Sequence, residues 1–190
     1  MKSMDKMSKE ERKAAFARKM KLLDLYGACM NNAGKFIEEA KILLQHKAFP
    51  RAAFLAYCGI EETGKAQLVA DFYNGDLSEK EFKSAYYSHP IKAAYTGRVV
   101  QLSGTQISNE ITIIEKFSMQ VDKKRGKSLM ESREPALYVE FDSNFSSILP
   151  ETRVNQEAAE AMIAKAYKVW RHILEMDALT EGIGARGHFK

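Results

Sequence analysis

The residues best suited to chemistry fall in two short runs. The first is Ala56-Tyr-Cys-Gly-Ile-Glu-Glu-Thr-Gly-Lys65, in which Glu61, Glu62 and Lys65 interrupt small and apolar residues. Lys65 follows Glu61 by four positions and Glu62 by three, so on a helix either carboxylate reaches it. Charges on an apolar stripe must be paired or must face a cleft. Two readings are open: a buried ion pair that fixes helix register, or a polar site inside the fold. Gly64 has no side chain, so another helix or a ligand can approach there. The second run is Ser88-His89-Pro90-Ile91-Lys92. With Pro90 at the first helical position, His89 stands at or beside the N-cap and Lys92 in the first turn. Free amides at a helix start favour anions, and histidine titrates near neutral pH. A phosphate-binding or acid/base site can be built this way; the plainer reading is a surface histidine ahead of a proline-initiated helix. Tyr86 and Tyr87, just upstream, either stack on bases or fill the core.

Other chemistries find less support. Di-metal bundles use Glu-x-x-His pairs, and none of Glu61, Glu62 or Glu175 has a histidine three residues on. No metal and no other cofactor is expected. The Gly64-Lys65 pair lacks P-loop spacing, and mid-helix amides cannot cradle phosphates. His46, His172 and His188 look peripheral. Cys29 and Cys58 sit in no CxxC or Cys/His cluster and occupy apolar positions of helical patterns. They read as two reduced, buried thiols, which predicts a cytoplasmic protein.

The elements that must position these groups read as helices almost throughout. A long pattern from about Lys9 to His46 has the spine Leu22, Tyr26, Cys29, Ala33, Phe36, Ala40, Leu43, alternating spacings of four and three. Gly27 and Gly34 mark places where it can bend or split. Pro50 starts a second helix that runs to Tyr73 and stops at Asn74-Gly75. Ser78 and Glu81 form a capping box for a third. Further helical stripes run through Ile91–Leu102 and Ile107–Val121. Residues 136–141 form a short extended run, and 142–150 read as loop. The last helix, about Arg153 to Leu179, carries Ala159, Met162, Ile163, Ala166, Trp170, Ile173 and Leu174 on one stripe. One extended run cannot build a sheet, so the fold class is an all-α helical bundle with a short extended segment near residues 136–141.

Of 190 residues, 45% are hydrophobic and 28% charged, as in ordinary globular proteins, so one bundle can bury a core without a disulfide or metal. No apolar run approaches the ~20 residues of a membrane span, and the polar first residues lack a signal peptide's apolar core. Neither membrane insertion nor secretion is expected. Residues 1–21 hold eight Lys/Arg against three Asp/Glu, leaving the remainder near neutral. They form a basic extension or the start of the first helix, able to touch phosphates or simply to be solvated. The bundle proper would span 22–180, with a flexible tail over 181–190.

Taken in order, Asn32-Ala33, Glu39-Ala40, Leu43-Leu44, Arg51-Ala52, Ala56, Glu61-Glu62-Thr-Gly-Lys65, His89, Lys92 and Arg133-Glu-Pro-Ala-Leu137-Tyr138-Val139-Glu140 resemble the AbiV family of abortive-infection proteins. The resemblance spans roughly residues 22–175. It implies a phage-defence protein that arrests growth or protein synthesis in an infected cell, with a phage protein as possible trigger. It also implies a HEPN-like bundle, a superfamily rich in dimeric, metal-independent ribonucleases. Their signature is an arginine, four to six residues, then a histidine. This chain departs from it: the nearest match is Lys83, five residues, then His89. Lysine neutralises a phosphate but lacks the fork of arginine.

Two functions follow. In the first, a homodimer cleaves RNA: His89 is the general acid or base, Lys83 and Lys92 hold the phosphate, and Glu61, Glu62 and Lys65 orient them. Arg133 and Tyr138 lie close if the extended run folds onto the cleft. In the second, motivated by the missing arginine, the bundle is a non-catalytic regulator that binds a phage protein or RNA and blocks translation by occupancy.

Overall fold

The computed structural model describes residues 8–89, 91–92, 133, 136–179 and 183–184. The helical stripes expected over 93–121 lie outside them. Helix α1 (Lys9–Gln45) opens on a capping box: Ser8 Oγ accepts from Glu11 N, and Glu11 Oε2 accepts from Ser8 N. It is one continuous helix across both glycines. Gly34 instead makes room for the Trp170 indole, which would lie 3.0 Å from a Cβ there and whose Nε1 donates to Met30 O. The spine drifts at 3.6 residues per turn: Met30 and Ile37 are buried, while Phe36 is only half-buried.

Helix α2 (Phe49–Tyr73) begins with Pro50 in its first turn and is buried along most of its length. Its small residues allow that centrality. Ala52, Ala56, Ile60 and Ile37 pack with Ala159, Ile163 and Ala166 in one cluster; Ala66, Val69 and Ala70 pack with Tyr26, Cys29, Met30, Val169 and Ile173 in another. At Gly59 a Cβ would meet Ile37 at 3.0 Å, so α1 and α2 approach closely. Helix α3 (Glu79–Tyr86) carries the expected capping box from Ser78 and Glu81. His89, Ile91 and Lys92 are helical again.

Residues 136–141 are less extended than expected. Ala136 is buried in a tight turn, and only Glu140–Phe141 is a strand, β1. It pairs antiparallel with β2 (Ser147–Ile148), inside the stretch read as loop. Asp142 Oδ1 accepts from the amides of Asn144 and Ser146, which folds the chain back. A short helix α4 (Pro150–Arg153) leads into α5 (Gln156–Leu179), which buries Ala159, Ile163, Ala166, Val169 and Ile173. Leu174, placed on that stripe by its spacing, is exposed.

Ile183 and Gly184, assigned above to a flexible tail, pack back onto the bundle. Ile183 joins the Tyr26 cluster, and Gly184 N donates to Asp177 Oδ1 at 2.8 Å. A Cβ on Gly184 would lie 2.5 Å from that of Ala70, and its φ of +75° is one that glycine adopts freely. The architecture is an all-α bundle of α1, α2 and α5 with a minimal hairpin attached. Among the described residues, no helix is long and apolar enough to cross a membrane.

Candidate functional site

The centre of α2 must carry Glu61 through a nearly dry interior. Glu61 is 7% exposed, and its polar neighbours on α2 are each satisfied locally. Thr63 Oγ1 donates back to Gly59 O, and Gln67 Nε2 donates to Asp71 Oδ1. Glu61 is answered from elsewhere: His89 Nδ1 lies 2.6 Å from Glu61 Oε1. An ionised carboxylate only accepts, so the bonded tautomer carries its proton on Nδ1. Tyr57 OH, one turn before Glu61, donates to the same Oε1 at 3.4 Å. Burial, then the nearby Glu61 charge, pushes the Tyr57 hydroxyl well above its ordinary range.

Two more features bring the second run onto α2. Gly64 lets the backbone of Lys92 rest against the helix: a Cβ there would stand 2.0 Å from Lys92 O. Lys92 itself is 4% exposed. Its ammonium pKa is lowered by burial, with Glu61 and Glu62 pulling it up and Lys65 and Arg133 pushing it down. Lys65 pairs with Glu62 rather than Glu61, and its Nζ lies 5.9 Å from the Tyr86 ring centre. Arg133, far along the chain, brings its guanidinium 5.6 Å from the Phe54 ring and 5.8 Å from the Tyr57 ring.

Six of the eight residues singled out above therefore gather around the middle of α2: His89, Lys92, Glu61, Glu62, Lys65 and Arg133. Two do not. Lys83 is exposed on α3 and bonds Glu79 Oε1 at 2.7 Å, within its own helix. The turn at Tyr87 and Ser88 separates α3 from His89, so counting along the chain does not put Lys83 and His89 on one face. Tyr138 is 61% exposed ahead of β1. Tyr57 joins the site instead, and its i, i+4 spacing to Glu61 was the available signal.

Beside this cluster runs a groove of about 500 Å³ lined by Leu25, Asn31, Asn32, Lys35, Glu62 and Tyr86. Sequence reasoning did not mark it as a groove, because Asn31, Asn32 and Lys35 are exposed positions of α1 that only the fold brings beside Glu62 of α2 and Tyr86 of α3. Cys29 is buried at its wall, and Cys58 is only half-buried, unlike the two buried thiols expected. Burial and the Glu61 charge push the Cys58 thiol up to about 11. Among the described residues, no group of three or more His, Cys, Asp or Glu could hold a metal ion.

The arrangement can hold an imidazole in one orientation, keep Nε2 unengaged by the carboxylate, and place two cations nearby. No curated protein and no solved structure matches the chain. The family HEPN_AbiV, described as AbiV, matches residues 21–171, well over half of the chain. The chain belongs to this AbiV family of HEPN-like helical proteins, a family of abortive infection in defence against phage.

Proposed function

We propose that this protein defends against phage by cleaving RNA without a metal, with His89 as the general acid or base. The observation that carries the reading is the 2.6 Å contact between His89 Nδ1 and Glu61 Oε1. It holds the ring by Nδ1, and the imidazole is half-exposed, which leaves Nε2 for proton transfer. As base, Nε2 takes the proton from a ribose 2′-OH; the oxygen attacks the adjacent phosphorus, and the 5′-oxygen leaves with a proton from water or a second acid. Glu61 steadies the imidazolium formed in between. A homodimer, in which two such sites face one RNA, and activation by a phage protein belong to this proposal.

The test is incubation of the purified full chain with total RNA and with tRNA in the presence of a chelator. Cleavage by the wild type and none by His89→Ala supports the reading. Equal cleavage by both removes His89 from the mechanism.

The placement of Lys83 on Glu79 favours a second reading, since the cation at the arginine's place in sequence is committed elsewhere. The bundle then binds RNA or a phage protein and arrests translation by occupancy. Growth arrest that survives His89→Ala, with no RNA cut, identifies that outcome.

A further inference from the structure

The site's carboxylates are used up before its cations are. Glu61 is engaged by His89, and Glu62 by Lys65. Lys92 and Arg133 remain, and among the described residues neither has a carboxylate partner within ion-pair distance. Lys92 is 4% exposed. Arg133 Nε is fully shielded from solvent and has no hydrogen-bond partner. A buried donor left unpaired carries its desolvation penalty uncompensated, and the more so on a charged group. Aromatic faces on Phe54 and Tyr57 hold the guanidinium in place but satisfy none of its N–H groups. The Lys92 backbone is seated on Gly64, which fixes where its buried side chain starts.

We propose that Lys92 and Arg133 form a subsite for a phosphate-type oxyanion beside His89, the seat of a backbone phosphate of the RNA. The presence of the subsite stands on two cations that have no carboxylate partner among the described residues; its assignment to RNA rests on the ribonuclease reading. The division of labour follows from the side chains. The planar guanidinium offers parallel N–H donors that match two phosphate oxygens, and the ammonium adds a point charge. Arg133 thus supplies, from a distant segment, the forked donor that Lys83 cannot. Phosphate binding also removes the mutual repulsion between the two cations, which favours the charged form of Lys92.

The experiment is thermal unfolding of the full chain in inorganic phosphate against chloride at equal ionic strength. The wild type shows a saturable, phosphate-specific rise in Tm. In Arg133→Gln the apparent phosphate affinity falls about tenfold or more, and Arg133→Lys recovers part of it. Lys92→Met behaves like Arg133→Gln; should it not fold, the half-buried Arg133 decides alone. No phosphate-specific rise in the wild type, or an unchanged rise in Arg133→Gln, overturns the subsite. A rise without RNA cleavage would sink the ribonuclease reading and leave the subsite standing. Cleavage without a rise would do the reverse.

Discussion

Tyr57 and His89 meet on one oxygen of Glu61, the hydroxyl at 3.4 Å and Nδ1 at 2.6 Å. The short contact joins residues 28 positions apart, while the long one stays within a single turn of α2. They differ in what they can contribute. At 3.4 Å this hydrogen bond is long and is worth ~1 kcal/mol or less, so Tyr57→Phe is expected to lower RNA cleavage less than about tenfold. The ring facing Arg133 is retained in that variant. Initial rates on tRNA check this, and a loss as deep as that of His89→Ala would give Tyr57 a larger part than the geometry allows.

Two glycines of the bundle predict opposite outcomes. Gly64→Ala drives a methyl into Lys92 O, which is backbone and cannot simply rotate away. It should destabilise the protein by about 1–3 kcal/mol and displace His89 from Glu61. Gly27 has nothing within 4 Å of a Cβ and sits inside α1, so Gly27→Ala should stabilise by about 0.5–1 kcal/mol. Urea unfolding of the two variants measures both numbers, and cleavage should be lost only in the first.

Lys83 separates chain spacing from spatial placement. Its ammonium is bonded to Glu79 in a solvent-exposed pair on α3, so Lys83→Ala should leave the cleavage rate within twofold of wild type and barely move the unfolding midpoint. Rate and unfolding midpoint are read on the same preparation. A hundredfold drop in rate would put Lys83 at the phosphate after all.

Asp177 ties the C-terminal segment to α1. It accepts from Tyr26 OH at 2.5 Å and from Gly184 N at 2.8 Å. Burial raises its carboxyl above the ordinary 3.8, against these two hydrogen bonds, which lower it. The folded state therefore holds the proton more tightly than the unfolded chain. Its stabilising contribution is complete below 3.8 and is lost as pH rises through the raised value. Relative to Asp177→Asn, the wild type should lose stability as pH climbs from 3.8. Paired melts across that range check the sign, and a difference that widens in favour of the wild type would contradict it.

Local signals in the sequence were readable where local chemistry decides the structure. The Ser78–Glu81 box and Pro50 placed two helix starts because caps act within one turn. The mixture of charge and small residues in α2 marked a polar site, and the bare Gly64 marked a close approach, which turned out to be the Lys92 backbone. Partner choice was not readable. Lys65 could reach either carboxylate by spacing and took Glu62, because Glu61 is engaged across the fold by His89. The β1–β2 hairpin was missed because Asp142 closes it through hydrogen bonds to backbone amides, which leave no alternating pattern. The glycine-rich end looked loose, although Gly184 is needed for its positive φ and its contact with Ala70.

The pairing of Glu61 with His89 is most directly tested by a double-mutant cycle on RNA cleavage. His89→Ala should lower the rate by about 10²–10⁴, and Glu61→Gln by a substantial part of that. If Glu61 acts through the imidazole, adding Glu61→Gln to His89→Ala should cost nothing further. Losses that multiply in the double variant would show that the carboxylate and the imidazole act independently, and would contradict the account.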